Sequence, residues 1–224
     1  PFCMKQYILS ILCSFTLLCS SVNMFAQEDC PFLAPITVGE EACQNETLDP
    51  ISASVPPSTT EPVDEWKWYE GDGVTPIVNN SDTYVHGVDN TIAATTTYYV
   101  SYVATEPIST NQCESPKTAV TVVVNPLPDI TITAPALVCY DQGDEVLQQN
   151  VVYHSNGAGT GVWSIVGETG GINSSGVFTP SFKGEVTDTY TVDYTYTDGK
   201  GCVNNHTHDI TVQFTPAPVT LGHI

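Results

Sequence analysis

The stretch TYYVSYVATEPISTNQCESPKTAVTVVVNPLPD, from Thr97 to Asp129, decides the fold. It begins with Tyr98, Val100 and Tyr102 at every second position, a pattern typical of a strand with one buried face. A turn that contains Cys113 follows, and a valine-rich strand then returns and ends in alternating prolines. The stretch therefore predicts a β-hairpin that closes one domain and passes the chain to the next.

The same arrangement recurs at residues 187–218, TDTYTVDYTYTDGKGCVNNHTHDITVQFTPAP. Tyr190, Val192, Tyr194 and Tyr196 fall on one face of the predicted strand, and threonines fall on the other. A turn with Asp, Gly and Cys follows, and a second alternating strand ends in x-Pro-x-Pro. Two such units in one chain indicate a tandem repeat.

The cysteines support this repeat. After the N-terminal segment, Cys43 and Cys113 are 70 positions apart, and Cys139 and Cys202 are 63 apart. We predict the disulfides Cys43–Cys113 and Cys139–Cys202, because a secreted chain meets an oxidising environment. Cys30 then has no partner within the repeat. Three alternatives remain open: it is a free thiol, it competes with Cys43 for Cys113, or it links two molecules.

Tryptophans recur at matching distances from the first cysteine of each set. Trp66 and Trp68 follow Cys43 by 23 and 25 positions, and Trp163 follows Cys139 by 24. This spacing resembles that of immunoglobulin-like domains, although here the second cysteine lies in a turn and not inside a strand. The prediction is an all-β protein with two tandem immunoglobulin-like β-sandwiches and core tryptophans. A sugar-binding aromatic platform is the alternative role for these rings.

The ends of the chain suggest processing and a further strand. An apolar run at 7–18 precedes Met24-Phe25-Ala26, which predicts a cleaved secretory signal peptide. The predicted segments are a signal peptide at 1–26, with 1–3 a remnant before Met4, sandwiches at 27–125 and 126–214, and a tail at 215–224.

The charge balance excludes some partners. The formal net charge is −20, and the chain has no arginine. Nucleic acid and anionic membrane surfaces are therefore poor partners, and we predict neither nucleic-acid binding nor membrane insertion. We predict instead a secreted protein, extracellular or on the cell surface.

Two clusters are weak candidates for metal binding. His206 and His208 share one face of a predicted strand, and a nearby carboxylate such as Asp209 would complete a site. Two solvent-facing histidines are the simpler interpretation. The acidic stretch 141–145, with Asp129, could hold structural calcium at the domain junction, but it lacks the alternating ligands of a calcium loop. We predict no cofactor.

No motif for catalysis is present. The glycine-rich segment 157–161 resembles a phosphate-binding loop, but no helix follows it, so we predict a hairpin turn. No nucleophile elbow and no Cys/His constellation occurs. We predict no catalytic residue and no enzymatic activity.

The pieces TTTYYVSYVA…CESPKTAVTVVVNPLP and GTGVWSIVG…GVFTP…YTVDYTYTDGKGCVNN resemble tandem immunoglobulin-like and PKD-like repeat domains of Bacteroidetes secreted surface adhesins. The ending Phe25-Ala26-Gln27 is similar to signal peptides of that phylum. This resemblance implies adhesion or spacing at the cell surface without catalysis. It supplies no functional residues, and the chain shows no recognisable C-terminal sorting domain.

The tail reads as the first strand of a further repeat, since it passes through x-Pro-x-Pro into alternating Val219, Leu221 and Ile224. It belongs to a longer array, or it adds to a sheet edge of a neighbouring molecule and builds an extracellular filament. The predicted partners are therefore copies of the chain or neighbouring surface proteins, with glycans as a further candidate. The predicted function is a non-catalytic structural or adhesive surface protein. The alternative is an accessory carbohydrate-binding module.

Overall fold

The computed structural model describes residues 30–107 and 110–214. These residues form β-strands and one short 3-10 helix, Pro180–Lys183. None of their helices is long or apolar enough to cross a membrane. The predicted signal peptide at 1–26 and the tail residues Val219, Leu221 and Ile224 lie outside the described residues.

The N-terminal sandwich is built from two facing sheets. The strands are β1 (Ile36–Val38), β2 (Glu40–Cys43), β3 (Ile51–Ser54), β4 (Val63–Tyr69), β5 (Pro76–Ile77), β6 (Thr83–Tyr84), β7 (Ala94–Thr105), β8 (Gln112–Glu114) and β9 (Thr118–Asn125). One sheet has the order β1-β3-β6, and the other has the order β2-β9-β7-β4-β5, with β8 also paired to β7.

The C-terminal sandwich repeats this plan. Its strands are β10 (Asp129–Thr133), β11 (Leu137–Cys139), β12 (Glu145–Val146), β13 (Gln148–Val152), β14 (Thr160–Ile165), β15 (Val177–Phe178), β16 (Asp188–Thr197) and β17 (Val203–Gln213). The sheet β11-β17-β16-β14 faces the pairs β10-β13 and β12-β15.

In both sandwiches the first part of the chain contributes to both sheets. β1 and β10 pair antiparallel in one sheet, whereas β2 and β11 run parallel to the last strand in the other. Gly39 permits this crossing in the N-terminal sandwich, because a Cβ there would lie 2.4 Å from the Thr121 carbonyl oxygen. The arrangement is immunoglobulin-like, with a central hairpin of long strands in one sheet.

The period-two pattern correctly predicts the buried face of the second long hairpin. Tyr190, Val192, Tyr194 and Tyr196 are all at most 7% exposed. They pack with Trp163, Phe178 and other apolar residues into one core. Trp68, Val100 and Val122 are fully buried in the corresponding core of the N-terminal sandwich.

Each sandwich has two ends. We call the end that carries the turn of the last hairpin, with Cys113 or Cys202, the N-terminal pole, because the chain enters there. The C-terminal pole is the opposite end, where β9 or β17 finishes. Among described residues, strands up to Asn125 pair only with one another, and so do strands from Asp129 onward. The domain limits 27–125 and 126–214 stay predictions.

The predicted disulfides are wrong. The structure pairs Cys30 with Cys113 and Cys43 with Cys202, and it leaves Cys139 free and exposed. Cys30 is therefore not the unpaired cysteine.

Distance explains the error. Cys43 lies opposite Asn125 at the C-terminal pole, whereas Cys113 lies opposite Ala104 at the N-terminal pole. Strand β7 runs from one pole to the other, and at about 3.3 Å per residue the poles are roughly 30 Å apart. A disulfide needs Cα atoms within about 7 Å, so neither Cys43–Cys113 nor Cys139–Cys202 can close across a sandwich.

Candidate functional site at the junction of the two sandwiches

The segment that joins the sandwiches is held by hydrogen bonds from both of them. The Gln44 side chain accepts a hydrogen bond from the Leu127 N–H at 2.9 Å. The side-chain amide of Asn156 donates to the Pro126 carbonyl at 2.8 Å, and that of Asn204 donates to the Pro128 carbonyl at 2.9 Å. Pro126 and Pro128 have no N–H to satisfy, so alternate prolines suit a segment fixed in this way.

Gln44 and Asn125 anchor the segment on the N-terminal side. The Gln44 N–H donates to the Asn125 carbonyl at 2.9 Å, directly after the parallel pairing of β2 with β9. The Gln44 side-chain amide also donates to the Thr91 carbonyl at 2.9 Å. One glutamine therefore ties the segment to two loops of the N-terminal sandwich.

On the C-terminal side, Asn156 and Asp198 form a buried pair. They are 5% exposed each, and the Asn156 amide donates to Asp198 Oδ2 at 2.7 Å. The other carboxylate oxygen, Oδ1, accepts from the N–H groups of Lys200 and Cys202, each at 2.9 Å. Asp198 thus shapes the hairpin turn, and it positions Cys202 at the junction.

The glycine-rich segment supports the same turn. Gly199 N–H donates to the Gly157 carbonyl at 3.1 Å, and Gly159 N–H donates to the Tyr196 hydroxyl at 2.5 Å. A Cβ at Gly159 would lie 1.8 Å from the Thr197 carbonyl oxygen. The glycines are therefore needed for close backbone approach between two turns.

A disulfide and an ion pair cross the junction. Cys43 and Cys202 join the two sandwiches with Cα atoms 5.5 Å apart, and both residues are buried. Lys200 Nζ donates to Glu41 Oε1 at 2.7 Å, and the Asn125 amide donates to the same oxygen at 3.0 Å. The hydrogen bond from Lys200, followed by that from Asn125, lowers the pKa of Glu41.

These contacts form a structural site that links the two sandwiches. Hydrogen bonds hold the joining segment of three residues, and a disulfide and an ion pair link the two sandwiches directly. The local sequence does not reveal the partners, since Gln44, Asn156 and Asn204 lie far apart along the chain. The alternate prolines of the segment are the only part of this site that the sequence pattern predicts.

The predicted pair His206 and His208 does share one face of β17. That face carries the buried Ile210 and Val212 further along the strand, but His206 itself is exposed to solvent and His208 is half-buried. The buried Nε2 of His208 has no hydrogen-bond partner in the described structure. Asp209 lies on the opposite face and accepts from Thr191, so it cannot complete a site with the histidines.

The acidic stretch 141–145 lies at the wrong end for a junction site. It follows β11, which ends beside Gln213 at the C-terminal pole, whereas the junction lies at the N-terminal pole of the same sandwich. Asp129 lies elsewhere, with one carboxylate oxygen 3.3 Å from His154 Nε2. Within residues 30–107 and 110–214, no three His, Cys, Asp or Glu residues come close enough together to hold a metal.

Two of the three tryptophans are core residues rather than parts of a binding platform. Trp68 is fully buried and Trp163 is 6% exposed. Trp66 is half-buried, with its ring 5.7 Å from that of Tyr102. Trp68 and Trp163 therefore present no open ring face of the kind that binds a sugar.

A second polar cluster surrounds Glu114 in the N-terminal sandwich. Its carboxylate accepts from the hydroxyls of Tyr69 at 2.6 Å and Ser101 at 2.7 Å, and from Lys67 Nζ at 3.1 Å. Burial opposes ionisation of Glu114, but the three donors prevail and lower its pKa. Lys117 covers the Tyr69 ring with Nζ 3.4 Å from its centroid. This cluster ties β8 to β4 and β7 beside Cys113.

Replacing Glu114 by alanine is expected to destabilise the protein by about 1–3 kcal/mol, because buried Ser101 and Tyr69 would lose their acceptor. Chemical denaturation measures this change. Glu65→Ala is the matched control, since Glu65 lies 3.9 Å from Lys67 and is half exposed. Equal losses in the two variants would contradict the role given to Glu114.

Acid should weaken both carboxylate clusters. The folded pKa values of Glu41 and Glu114 lie below the ordinary 4.5. Their contribution is therefore fully present above pH 4.5 and is lost as the pH falls through the folded pKa values. At pH values below 4.5, the midpoint temperature of thermal unfolding should decrease. The decrease should be smaller in the double variant Glu41→Gln/Glu114→Gln. An unchanged acid dependence in that variant would contradict this assignment.

No protein-family model matches the chain, and no curated protein matches it. Among solved structures, it is similar to the fibronectin(III)-like modules of Clostridium thermocellum CbhA, with 20% identity and a TM-score of 0.36 over 85% of this chain and 97% of that one. The three N-terminal domains of the bacteriophage RB49 highly immunogenic outer capsid protein match with 15% identity and a TM-score of 0.38 over 81% of this chain.

Drosophila N-cadherin EC1-4 matches with 15% identity and a TM-score of 0.30 over 84% of this chain. This chain spans 59% of the capsid protein chain and 49% of the cadherin chain. The strand order itself defines the class: an all-β protein with two tandem immunoglobulin-like sandwiches.

Proposed function

We propose that this protein is a non-catalytic, extracellular structural or adhesive protein whose two sandwiches act as one rigid spacer. The Cys43–Cys202 bond carries this proposal, because it closes the junction covalently where a flexible linker would allow the sandwiches to move. Two disulfides also favour an oxidising compartment. The partners in this proposal are copies of the chain or neighbouring surface proteins.

The surface chemistry supports a protein that stays dispersed until a specific contact forms. Each of the four described lysines has a partner: Lys67 pairs with Glu114, Lys117 with Tyr69, Lys183 with Glu168, and Lys200 with Glu41. The surface is therefore dominated by carboxylates. Like charges keep copies apart at long range, so assembly would depend on short-range contacts.

Small-angle X-ray scattering tests the rigid spacer. The expected profile is that of one elongated rigid particle, unchanged by salt. Cys43→Ala/Cys202→Ala should give a broader distribution of sizes. A wild-type profile that requires free movement between the sandwiches would overturn the proposal.

Antibody labelling of intact cells tests the location, and labelling that appears only after cell lysis would refute an extracellular role.

The finer part of this proposal is polymerisation into a filament by strand addition. Strand β4 meets β5 only at Trp68 and Tyr69, so the half of β4 at residues 63–67 has β7 as its one described strand neighbour. The Asn80 side chain accepts from the Trp66 N–H and covers part of this edge. An added strand would pair with the remaining backbone groups.

Deletion of residues 216–224 tests strand addition, because Val219, Leu221 and Ile224 would supply the added strand. Electron microscopy should show fibres of the native protein and none of the truncated form. Val219→Asp/Leu221→Asp should behave like the deletion, since apolar contacts would be lost. Equal fibre formation by native and truncated protein would show that the tail is not the connecting strand.

A further inference from the structure

Cys43 and Cys139 occupy equivalent positions in the two sandwiches. Each ends a short strand that runs parallel to the last strand of its own sandwich. The Cys43 N–H donates to the Glu46 side chain at 2.9 Å, and the Cys139 N–H donates to the Gln142 side chain at 3.2 Å. In return, the N–H of Glu46 or Gln142 donates to the cysteine carbonyl, at 3.1 Å in both cases.

The next residue repeats the match. Gln44 N–H donates to the Asn125 carbonyl at 2.9 Å, and Tyr140 N–H donates to the Gln213 carbonyl at 3.0 Å. The C-terminal pole of the second sandwich therefore has the same local backbone as the pole that forms the junction. The difference is that Cys43 is bonded, whereas Cys139 is exposed and free.

Cys113 and Cys202 are equivalent at the N-terminal poles. Cys113 lies opposite Ala104 in the last hairpin of its sandwich, and Cys202 lies opposite Asp198, whose N–H donates to the Cys202 carbonyl at 3.0 Å. The junction bond thus joins the C-terminal pole of one sandwich to the N-terminal pole of the next. The chain contains one further half of each kind, Cys139 and Cys113.

We propose that Cys139 of one copy forms a disulfide with Cys113 of a second copy, so that copies join end to end by the geometry of the Cys43–Cys202 junction. This inference deepens the proposed filament, and it rests on the proposed extracellular role. The second copy is the occupant because this chain supplies both halves of the bond. Cys113 is held by Cys30, a residue of the segment that leads into β1.

Thiol–disulfide exchange forms this link without an external oxidant. The Cys139 thiolate attacks Sγ of Cys113, so that the Cys139–Cys113 bond forms and the Cys113–Cys30 bond breaks. The electron pair of the broken bond goes to Cys30, which leaves as a thiolate and takes up the proton that Cys139 has lost. Cys30 and Cys113 are both partly exposed, which gives the attacking thiolate access.

The two free poles each carry apolar residues beside acidic ones. Leu137 lies two residues before Cys139, at the place that Glu41 holds before Cys43, and it is 55% exposed. At the N-terminal pole of the first sandwich, a groove of about 260 Å³ is lined by apolar residues such as Phe32 and Leu33 and also by Glu61 and Glu106. A contact between copies would therefore not repeat the Glu41–Lys200 ion pair of the internal junction, because Leu137 carries no charge.

The test uses the purified full chain, concentrated at pH 8 without oxygen and then alkylated. The expected result is a covalent ladder on non-reducing gels, in which peptide mapping finds Cys139 joined to Cys113 and Cys30 alkylated. Cys139→Ser should abolish the ladder. Cys30→Ser leaves Cys113 as a thiol, so its ladder should form only after an oxidant is added.

Three outcomes would overturn the inference: a ladder that persists in Cys139→Ser, a bond between two Cys139 residues, or Cys139 that stays fully alkylated in the concentrated native protein. Deletion of residues 216–224 separates this inference from strand addition, because the disulfide should still form without the tail. A rigid scattering profile without any covalent ladder would agree with the proposed rigid spacer and would refute only the disulfide between copies.

Discussion

Replacing Cys43 and Cys202 by alanine is expected to lower the free energy of unfolding by about 4–5 kcal/mol, the largest effect of any change considered. The bond spans 159 residues, and the entropy that a disulfide removes from the unfolded chain grows with the length of the closed loop. Alanine avoids an unsatisfied hydroxyl at Cys202, which is fully buried. Calorimetry should show one transition in the native protein and two in the variant, because the sandwiches would unfold separately.

Removal of the other disulfide is the control. Cys30→Ala/Cys113→Ala opens a loop of 83 residues that lies within the N-terminal sandwich. It should destabilise that sandwich and leave the two sandwiches coupled at the junction. If both double variants separate the unfolding of the sandwiches equally, the Cys43–Cys202 bond is not what couples them.

Replacing Gly159 by alanine is the second large effect, with an expected loss of about 3 kcal/mol or more from overpacking. The added Cβ would lie 1.8 Å from the Thr197 carbonyl oxygen and 2.6 Å from the Asp198 Cα. Both neighbours are backbone atoms, so the turn that carries Asp198 and Cys202 would have to move. Denaturant unfolding measures the loss of stability, and scattering measures any loosening of the junction.

Gly87→Ala provides the matched control. A Cβ at Gly87 would meet nothing within 4 Å, so stability should change little. If Gly159→Ala is as stable as Gly87→Ala, the close approach of the two turns is not required. This comparison also decides between a structural and a merely permissive role for the glycine-rich segment.

The core and the strands could be predicted because their signal is local. Alternation of Tyr190, Val192, Tyr194 and Tyr196 assigns one face to the interior whatever the rest of the chain does. The short parallel strands β2 and β11 were missed, since three or four residues show no period and their pairing depends on a distant strand. The face shared by His206 and His208 was predicted, but which part of that face is buried depends on the opposite sheet.

The sequence alone determined a charge of −20, an all-β chain, a repeated hairpin and the matched spacing of cysteines and tryptophans. The tertiary structure decided which cysteines meet. Both cysteines of each matched set belong to one sandwich, yet they lie at opposite poles roughly 30 Å apart, because β7 and β17 are long. Bond formation depends on which poles face each other, and that is set by Gln44, Asn156, Asn204 and the prolines of the joining segment. The spacing of cysteines along the chain does not predict contacts of this kind, because they form between residues that are distant in sequence.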